Sequence, residues 1–507
     1  MSGKQTATLI VAASLVISAA GLVVEIVGGR MLAPYLGMSI YTWTAVIAVV
    51  LAGFSAGHAV GGYYADRSAG EIYRLTGHFM ALAAMTTAFA PQLLAAVAQP
   101  VIGASGTALT AIVLLATIIF FVPSLAVSVP SAPFAKLLIG LTGERSGPWL
   151  GALFAAGSLG AIGGTVAAGF LFIPFWGTRT TLLTVAAIEI ALALAFYLAA
   201  SRASRPAMGL ASVLLAAFLL LATAGAGLTI GRSPCDVESQ YFCIRTMDYS
   251  AEAGQEARLM VLDHLGHGIN LEEPTALYHA YAAIIDNLAN VHLGNAPRRA
   301  FFVGGGAFTL PRAWAERQED SASIVVSEID PQVLEVADDE FWAESARFTV
   351  RQEDARLALS REEGGFDAIV ADAFTDIAAP QHLITRDYVE LVRAKLADDG
   401  VFMMNIIDHT DRLDALASMV ATIEAVFPVV EVWAEQSEII PGNRVTFVIF
   451  AGGNPTPKPT FVDPLFGRLM SRMPARSMQA LLQRDTIVMT DDFAPIDRLL
   501  GWDLPPD

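Results

Sequence analysis

The sequence predicts a multi-pass α-helical membrane bundle of about seven helices, then a small β-rich segment, then an α/β domain built on a parallel sheet. Three observations carry that prediction. Apolar stretches of bilayer-spanning length fill the first 231 residues. Charge is concentrated in the remainder: five of the 49 acids and nine of the 31 bases lie in 1–231, which leaves 44 acids against 22 bases. From residue 299 onward, short apolar strands alternate with helical segments, the pattern of a sheet covered by helices.

The bundle comes first. A helix needs about 20 apolar residues to cross a bilayer, and stretches near 7–28, 42–64, 77–99, 107–130, 149–172, 180–200 and 207–230 qualify. Lys4 before the first run resembles a signal-peptide start, but six further spans favour a retained helix. Small residues at helical spacing, Gly53-Gly57-Gly61 and Gly157-Gly160-Gly164, permit close helix contact. Glu25, His58 and Glu189 fall inside predicted spans, where ionisable groups are costly and often functional. Lys4, Arg67, Arg74, Lys136, Arg145, Arg202 and Arg205 fall on one side, against Arg30 and Arg179 on the other. That bias places the N-terminus in the cytoplasm, and seven crossings place the rest on the periplasmic side of a bacterial inner membrane. The only two cysteines, Cys235 and Cys243, follow the last span. A disulfide there requires an oxidising compartment; two unpaired thiols remain the alternative.

The predicted domains are 1–231, the bundle; 232–298, the β-rich segment; and 299–507, the α/β domain. Strands are expected at 300–303, 323–327, 348–352, 368–371, 401–406, 429–434 and 445–451, with helices at 311–318, 331–338, 385–396 and 412–426. The first strand runs into Gly304-Gly305-Gly306, and the second ends in Glu328-Ile329-Asp330. A glycine turn lets backbone approach a ligand, and an acid closing the next strand accepts ribose hydroxyls, which makes this a Rossmann-like arrangement. Asp354, Asp372 and Asn405 close later strands and belong to the same edge. An acidic soluble part argues against nucleic acid and suits cationic small substrates. No metal-ligand spacing is present.

The series Glu238-Ser239-x-Tyr241, Leu262-Asp263, Tyr278-His279, Gly304-Gly305-Gly306, Glu328-x-Asp330, Asp354-Ala355 and Asp367-Ala-Ile-Val-Ala-Asp372 resembles spermidine synthase. The whole chain is similar to bacterial proteins that fuse a multi-pass bundle to a polyamine aminopropyltransferase domain. Gly61-Gly62-Tyr63-Tyr64-Ala65-Asp66-Arg67 also resembles the cytoplasmic loop between helices two and three of major-facilitator transporters.

That resemblance implies a class I methyltransferase-type fold and transfer of the aminopropyl group of decarboxylated S-adenosylmethionine to putrescine or a related amine. The products are spermidine and methylthioadenosine. It implies Asp372 as the base and Gly304, Gly305, Gly306, Glu328, Asp330, Asp354 and Ala355 on the donor. Tyr278, His279, Asp376, Tyr241 and Asp492 are implied on the amine. It also implies a homodimer in contact with the lipid bilayer, with the donor as co-substrate and no permanently bound cofactor. Three departures from the family pattern stand out. Ala307 replaces the acid that follows the third glycine. Asp372-Ala373-Phe374-Thr375-Asp376 is one residue longer than the usual acidic pair. Arg312 follows the loop, where a cation would tolerate a donor that keeps its carboxylate. Two alternatives therefore stay open: methyl or aminocarboxypropyl transfer from intact S-adenosylmethionine, and a polyamine transporter with a sensing domain. Asp492, in Thr490-Asp491-Asp492-Phe493, reads either as a further wall of an amine pocket or as a turn with capping acids.

Overall fold

The computed structural model describes residues 3–201, 233–294, 298–317, 323–373 and 380–500. The chain divides into two compact units, Met1–Gln240 and Tyr241–Asp507.

In the first unit, α1 (Gly3–Leu36), α2 (Ile40–Tyr64) and α3 (Ala69–Ala104) are followed by α4 (Ala108–Ser128), α5 (Ser131–Thr142), α6 (Ser146–Ala167) and α7 (Ile173–Ser201). Among the described residues, four candidate membrane spans emerge from length and apolarity: α1, α2, α3 and the run Ala108–Ala200, which comprises α4 to α7. Six of the seven predicted stretches coincide with helices in this series, while 207–230 lies outside the described residues, as do Arg202 and Arg205.

The glycines explain the packing. A Cβ placed on Gly160 or Gly164 of α6 would stand 2.1 Å from the Leu15 carbonyl oxygen or 2.4 Å from that of Ala19 on α1. Gly57 and Gly61 of α2 meet α4 as closely. Backbones this near are available only to glycine, and they are what van der Waals association of apolar helices requires. After the bundle, the two-residue strand β1 (Val237–Glu238) remains with the first unit. The Thr178 amide donates to Glu238 at 2.9 Å, and Arg30 donates to the Ser239 carbonyl at 2.9 Å. The unit boundary therefore falls after Gln240, nine residues beyond the predicted end of the bundle at 231. Neither cysteine is free: Cys235 and Cys243 are both disulfide-bonded.

The second unit opens with the antiparallel strands β2 (Cys243–Asp248), β3 (Ala257–Leu262) and β4 (Leu265–Leu271). They do not stand apart as a domain. Asn270 of β4 donates to the carbonyls of Ala307 and Phe341 at 2.6 and 2.9 Å, fastening the small sheet to the core.

The main sheet comprises β5 (Ala300–Val303), β6 (Ile324–Ser327), β7 (Thr349–Arg351), β8 (Phe366–Ala371), β9 (Leu396–His409), β10 (Val429–Glu435), β11 (Arg444–Gly452), β12 (Thr460–Val462) and β13 (Leu469–Arg472). Its order is β12-β13-β10-β11-β9-β8-β5-β6-β7. Strands β5 to β9 pair in parallel, whereas β11 pairs antiparallel with both β9 and β10. The expected all-parallel sheet is thus mixed. The cause is local: only Gln436 to Asn443 join β10 to β11, too few for the dozen or so residues of a parallel crossover. Phe301, Val303, Ile369, Ala371, Phe402 and Met404 bury one face of the sheet against flanking helices. Strand β5 lies between β6 and β8, so the sequential order of the parallel strands reverses at its carboxyl end. That switch point is where open α/β sheets hold ligands.

Candidate active site

Each parallel strand delivers one chemical group to this edge. After β5, Gly304 adopts φ +89° and Gly306 φ +48°, conformations strained for residues with a Cβ. A Cβ on Gly304 would also lie 2.5 Å from the Asp372 carbonyl oxygen. After β6, Glu328 reaches back to accept from the amides of Gly305 at 2.9 Å and Gly306 at 3.1 Å, and its second oxygen accepts from the Asp330 amide at 2.9 Å. Burial raises the Glu328 pKa, and these three amide bonds offset part of that rise. The loop and its acid therefore form one rigid unit.

After β8, Asp372 stands on the same rim. Asn405 of β9 donates to its Oδ1 at 2.6 Å, and Tyr281 donates to its Oδ2 at 3.1 Å. Burial lifts the carboxyl to about 6 against those two stabilising bonds. After β7, Asp354 accepts from the Leu357 amide at 3.0 Å and pairs with His382 Nε2 at 2.6 Å. Burial works against this charge, but the Leu357 amide and His382 hold the carboxyl below its ordinary value.

These groups enclose a cavity of about 260 Å³. Of the residues expected from sequence, Tyr241, Gly304, Gly306, Glu328, Asp354, Ala355 and Asp372 line it, together with Phe242, His267, Glu353 and His382. Gly305 joins through its amide bond to Glu328.

The others stand elsewhere. Asp330 is buried as the cap of the helix Pro331–Glu340, accepting from the Gln332 amide at 3.0 Å. Tyr278 packs edge-on between Tyr249 and Phe466. His279 precedes the helix Ala280–Leu293, with its ring against Tyr281 and its buried Nε2 without a hydrogen-bond partner. Asp492 is exposed in the turn Thr490–Phe493, whose neighbour Asp491 grips Arg356 through two 2.7 Å bonds. Asp376 lies outside the described residues.

Arg312 is spent on structure. It donates to the carbonyls of Leu271 at 3.0 Å, Glu272 at 2.9 Å and Phe341 at 3.3 Å, and it does not line the cavity. Ala307 is equally enclosed: a Cβ on Gly268 of β4 would lie 2.7 Å from the Ala307 methyl. Tyr281, His267 and His382 escaped the sequence reading. Tyr281 stands three residues beyond the expected Tyr278, and its place against Asp372 follows only from the turn of the helix. Burial depresses His267 to about 4, helped by His264 and His279, so it faces the cavity as a neutral ring.

A family model described as "Spermine/spermidine synthase domain" matches residues 279–458. The C-terminal unit carries a spermine/spermidine synthase domain. Polyamine aminopropyltransferase 1 of Aquifex aeolicus is 25% identical over 214 residues, 41% of this chain and 74% of that protein. A polyamine aminopropyltransferase of Vibrio vulnificus is 31% identical over 133 residues, 25% of this chain and 44% of that protein. A probable spermidine synthase from Corynebacterium glutamicum superimposes with TM-score 0.40 at 19% identity, covering 48% of this chain and 91% of its own. The synthase domain thus begins within the tyrosine-histidine pair at 278–279 and encompasses every strand of the cavity edge. It is an aminopropyltransferase-family enzyme domain.

Proposed function

We propose that this chain is a membrane-bound polyamine aminopropyltransferase, using decarboxylated S-adenosylmethionine as donor and putrescine or a related amine as acceptor. One observation carries the choice of donor. Among the described residues, the cavity is lined by four carboxylates, Glu328, Glu353, Asp354 and Asp372, and by no lysine or arginine. A cationic sulfonium donor and an ammonium acceptor suit such walls. The carboxylate of an intact donor would find no partner there and four like charges, because Arg312 is occupied by backbone carbonyls.

The proposed roles follow from position. The ribose meets Glu328, whose Oε1 keeps one lone pair beyond the Asp330 amide bond while Oε2 is held by the Gly305 and Gly306 amides. The adenine amino group meets Asp354, beside Ala355. Tyr241 and Phe242 provide an aromatic wall. Asp372 takes the proton of the attacking ammonium, whose ordinary pKa is about 10.4. A carboxylate raised to about 6 narrows the gap between base and acid. Tyr281 and Asn405 fix both oxygens, so that the amine nitrogen attacks the aminopropyl carbon in line. The new C–N bond forms as the C–S bond breaks, the electron pair remains on sulfur, and neutral methylthioadenosine departs. With Ala307 and Arg312 enclosed, the donor's terminal amine is left to the carboxylates at the strand ends. Two disulfide-bonded cysteines fit the oxidising, periplasmic side of the membrane.

The test is the full chain in lipid nanodiscs with putrescine and decarboxylated S-adenosylmethionine. Methylthioadenosine and spermidine should form together, and Asp372→Asn should abolish both. Methyl transfer from the intact donor without methylthioadenosine would overturn the reading. So would amine flux in liposomes that persists in Asp372→Asn with no transfer in the wild type.

A further inference from the structure

The helical unit contains a cavity of its own, about 320 Å³, lined by residues of α1, α2, α4, α5 and α6. That volume lies at the lower end for ligand sites, about 300 Å³ and upward, and so suits one small solute. Its polar lining is distinctive. Ser14 and Ser18, one turn apart on α1, join Ser131 of α5, Ser158 of α6 and His58 of α2.

Several hydroxyls elsewhere in the bundle fold back onto their own helix. Thr44 donates to the Ile40 carbonyl, Ser55 to Leu51, Thr117 to Val113 and Thr142 to Leu138, the ordinary way an apolar helix satisfies a hydroxyl. Ser14, Ser18, Ser131 and Ser158 make no such bond among the described residues. α4 passes into α5 through Val129 and Pro130, both in right-handed helical conformation, and Ser128, Pro130 and Ser131 all line the cavity. Phe54, Phe134 and Phe154 supply aromatic faces, and Gly157 leaves its side open, since a Cβ there would reach no closer than 3.5 Å to Ser18 Oγ.

Among the described residues, no aspartate, glutamate, lysine or arginine lines this cavity. A polyamine with several charges would be buried without a counter-ion, which membrane interiors penalise heavily. The lining instead fits an uncharged solute with hydroxyls, ring nitrogens and an aromatic face. We propose that the bundle cavity binds an uncharged nucleoside, namely the methylthioadenosine released by the reaction proposed above; its identity as a product rests on that reading. Serine hydroxyls and His58 meet the ribose and the base edge, and the phenylalanines meet the adenine ring.

Equilibrium binding of radiolabelled methylthioadenosine to the full chain in nanodiscs tests this, with Glu328→Gln as background to weaken the synthase cavity. Binding should persist in that background and weaken at least tenfold on adding Ser14→Val with Ser18→Val. Gly157→Val, which fills the cavity beside Ser14 and Ser18 without removing a hydroxyl, should do the same. Methylthioadenosine release by otherwise wild-type chain should be unchanged by these bundle substitutions. Loss of all nucleoside binding in Glu328→Gln alone, or indifference to both bundle changes, overturns the proposal. Displacement by spermidine but not by adenosine overturns it equally. A wild type that transfers no aminopropyl group yet binds nucleoside in the bundle would sink the proposed reaction and leave the nucleoside site standing.

Discussion

Two cavities among the described residues are similar in size and differ in charge. The one in the synthase domain, about 260 Å³, is walled by four carboxylates; the one in the bundle, about 320 Å³, has hydroxyls, an imidazole and phenyl rings. The difference lies in what each environment can stabilise. At the end of a parallel sheet, carboxylates are held by amides and side-chain donors, as Glu328 is by Gly305, Gly306 and Asp330. Between apolar helices, the compensation for a charge is scarcer, and recognition falls to neutral hydrogen-bonding groups. On the readings proposed above, cations are handled in the synthase domain and uncharged solutes in the bundle.

The largest break in that comparison comes from removing the reactive charge. Asp372→Asn should lower kcat for aminopropyl transfer by about 10³, within the range for loss of a general base, while donor binding measured by calorimetry stays near wild type. The pH profile sharpens the point: wild-type kcat should rise through about 6, as Asp372 loses its proton. Stability should run the other way. A carboxyl raised from 3.8 to about 6 holds its proton more tightly when folded. Its contribution is fully present below pH 4 and is lost as pH rises through 6. At pH 7, Asp372→Asn should therefore be more stable than wild type, by at most about 3 kcal/mol and less where solvent reaches the cavity. A lowered melting temperature at pH 7 would contradict the assigned burial.

Next in size is Arg312→Met, which removes a buried cation from three carbonyls. Stability should fall by about 3 kcal/mol, with the preference between decarboxylated and intact donor unchanged. A shift in that preference would restore Arg312 to donor recognition. Glu328→Gln should raise the donor KM tenfold to a hundredfold, since charged hydrogen bonds contribute about 1.5–3 kcal/mol. The acceptor KM should stay constant, and the split separates donor from amine recognition.

How much of this was legible in the sequence follows the same division. Glycines and acids at the ends of apolar strands announce themselves, because strand, turn and acid are consecutive in the chain. Gly304, Glu328, Asp354 and Asp372 were accordingly found on one edge. Tyr281 was not, since its contact with Asp372 spans 91 positions and depends on helix phase. The antiparallel β11 was readable in principle from the short 436–443 connection. Arg312 misled because sequence shows a charge near a loop but not the three carbonyls that consume it. In the bundle, Ser14, Ser18, Ser131 and Ser158 carry no signature. What brings them together is the packing of α1, α5 and α6 around one cavity, a property of the fold alone.

The smallest effect is expected at the rim of the synthase cavity. His382 meets Asp354 at 2.6 Å, with about half of the imidazole and a third of the carboxyl exposed. Pairs this open contribute about 0–1 kcal/mol, and the Leu357 amide, at 3.0 Å, still holds Asp354 once the imidazole is gone. His382→Ala should therefore change the donor KM less than fivefold and leave kcat unaltered. Asp354→Ala removes the acceptor proposed for the adenine amino group and should cost donor affinity clearly more. If the two substitutions prove equal, His382 and not Asp354 is the group that recognises the base, and the adenine end of the cavity is read by an imidazole, as proposed for His58 in the bundle.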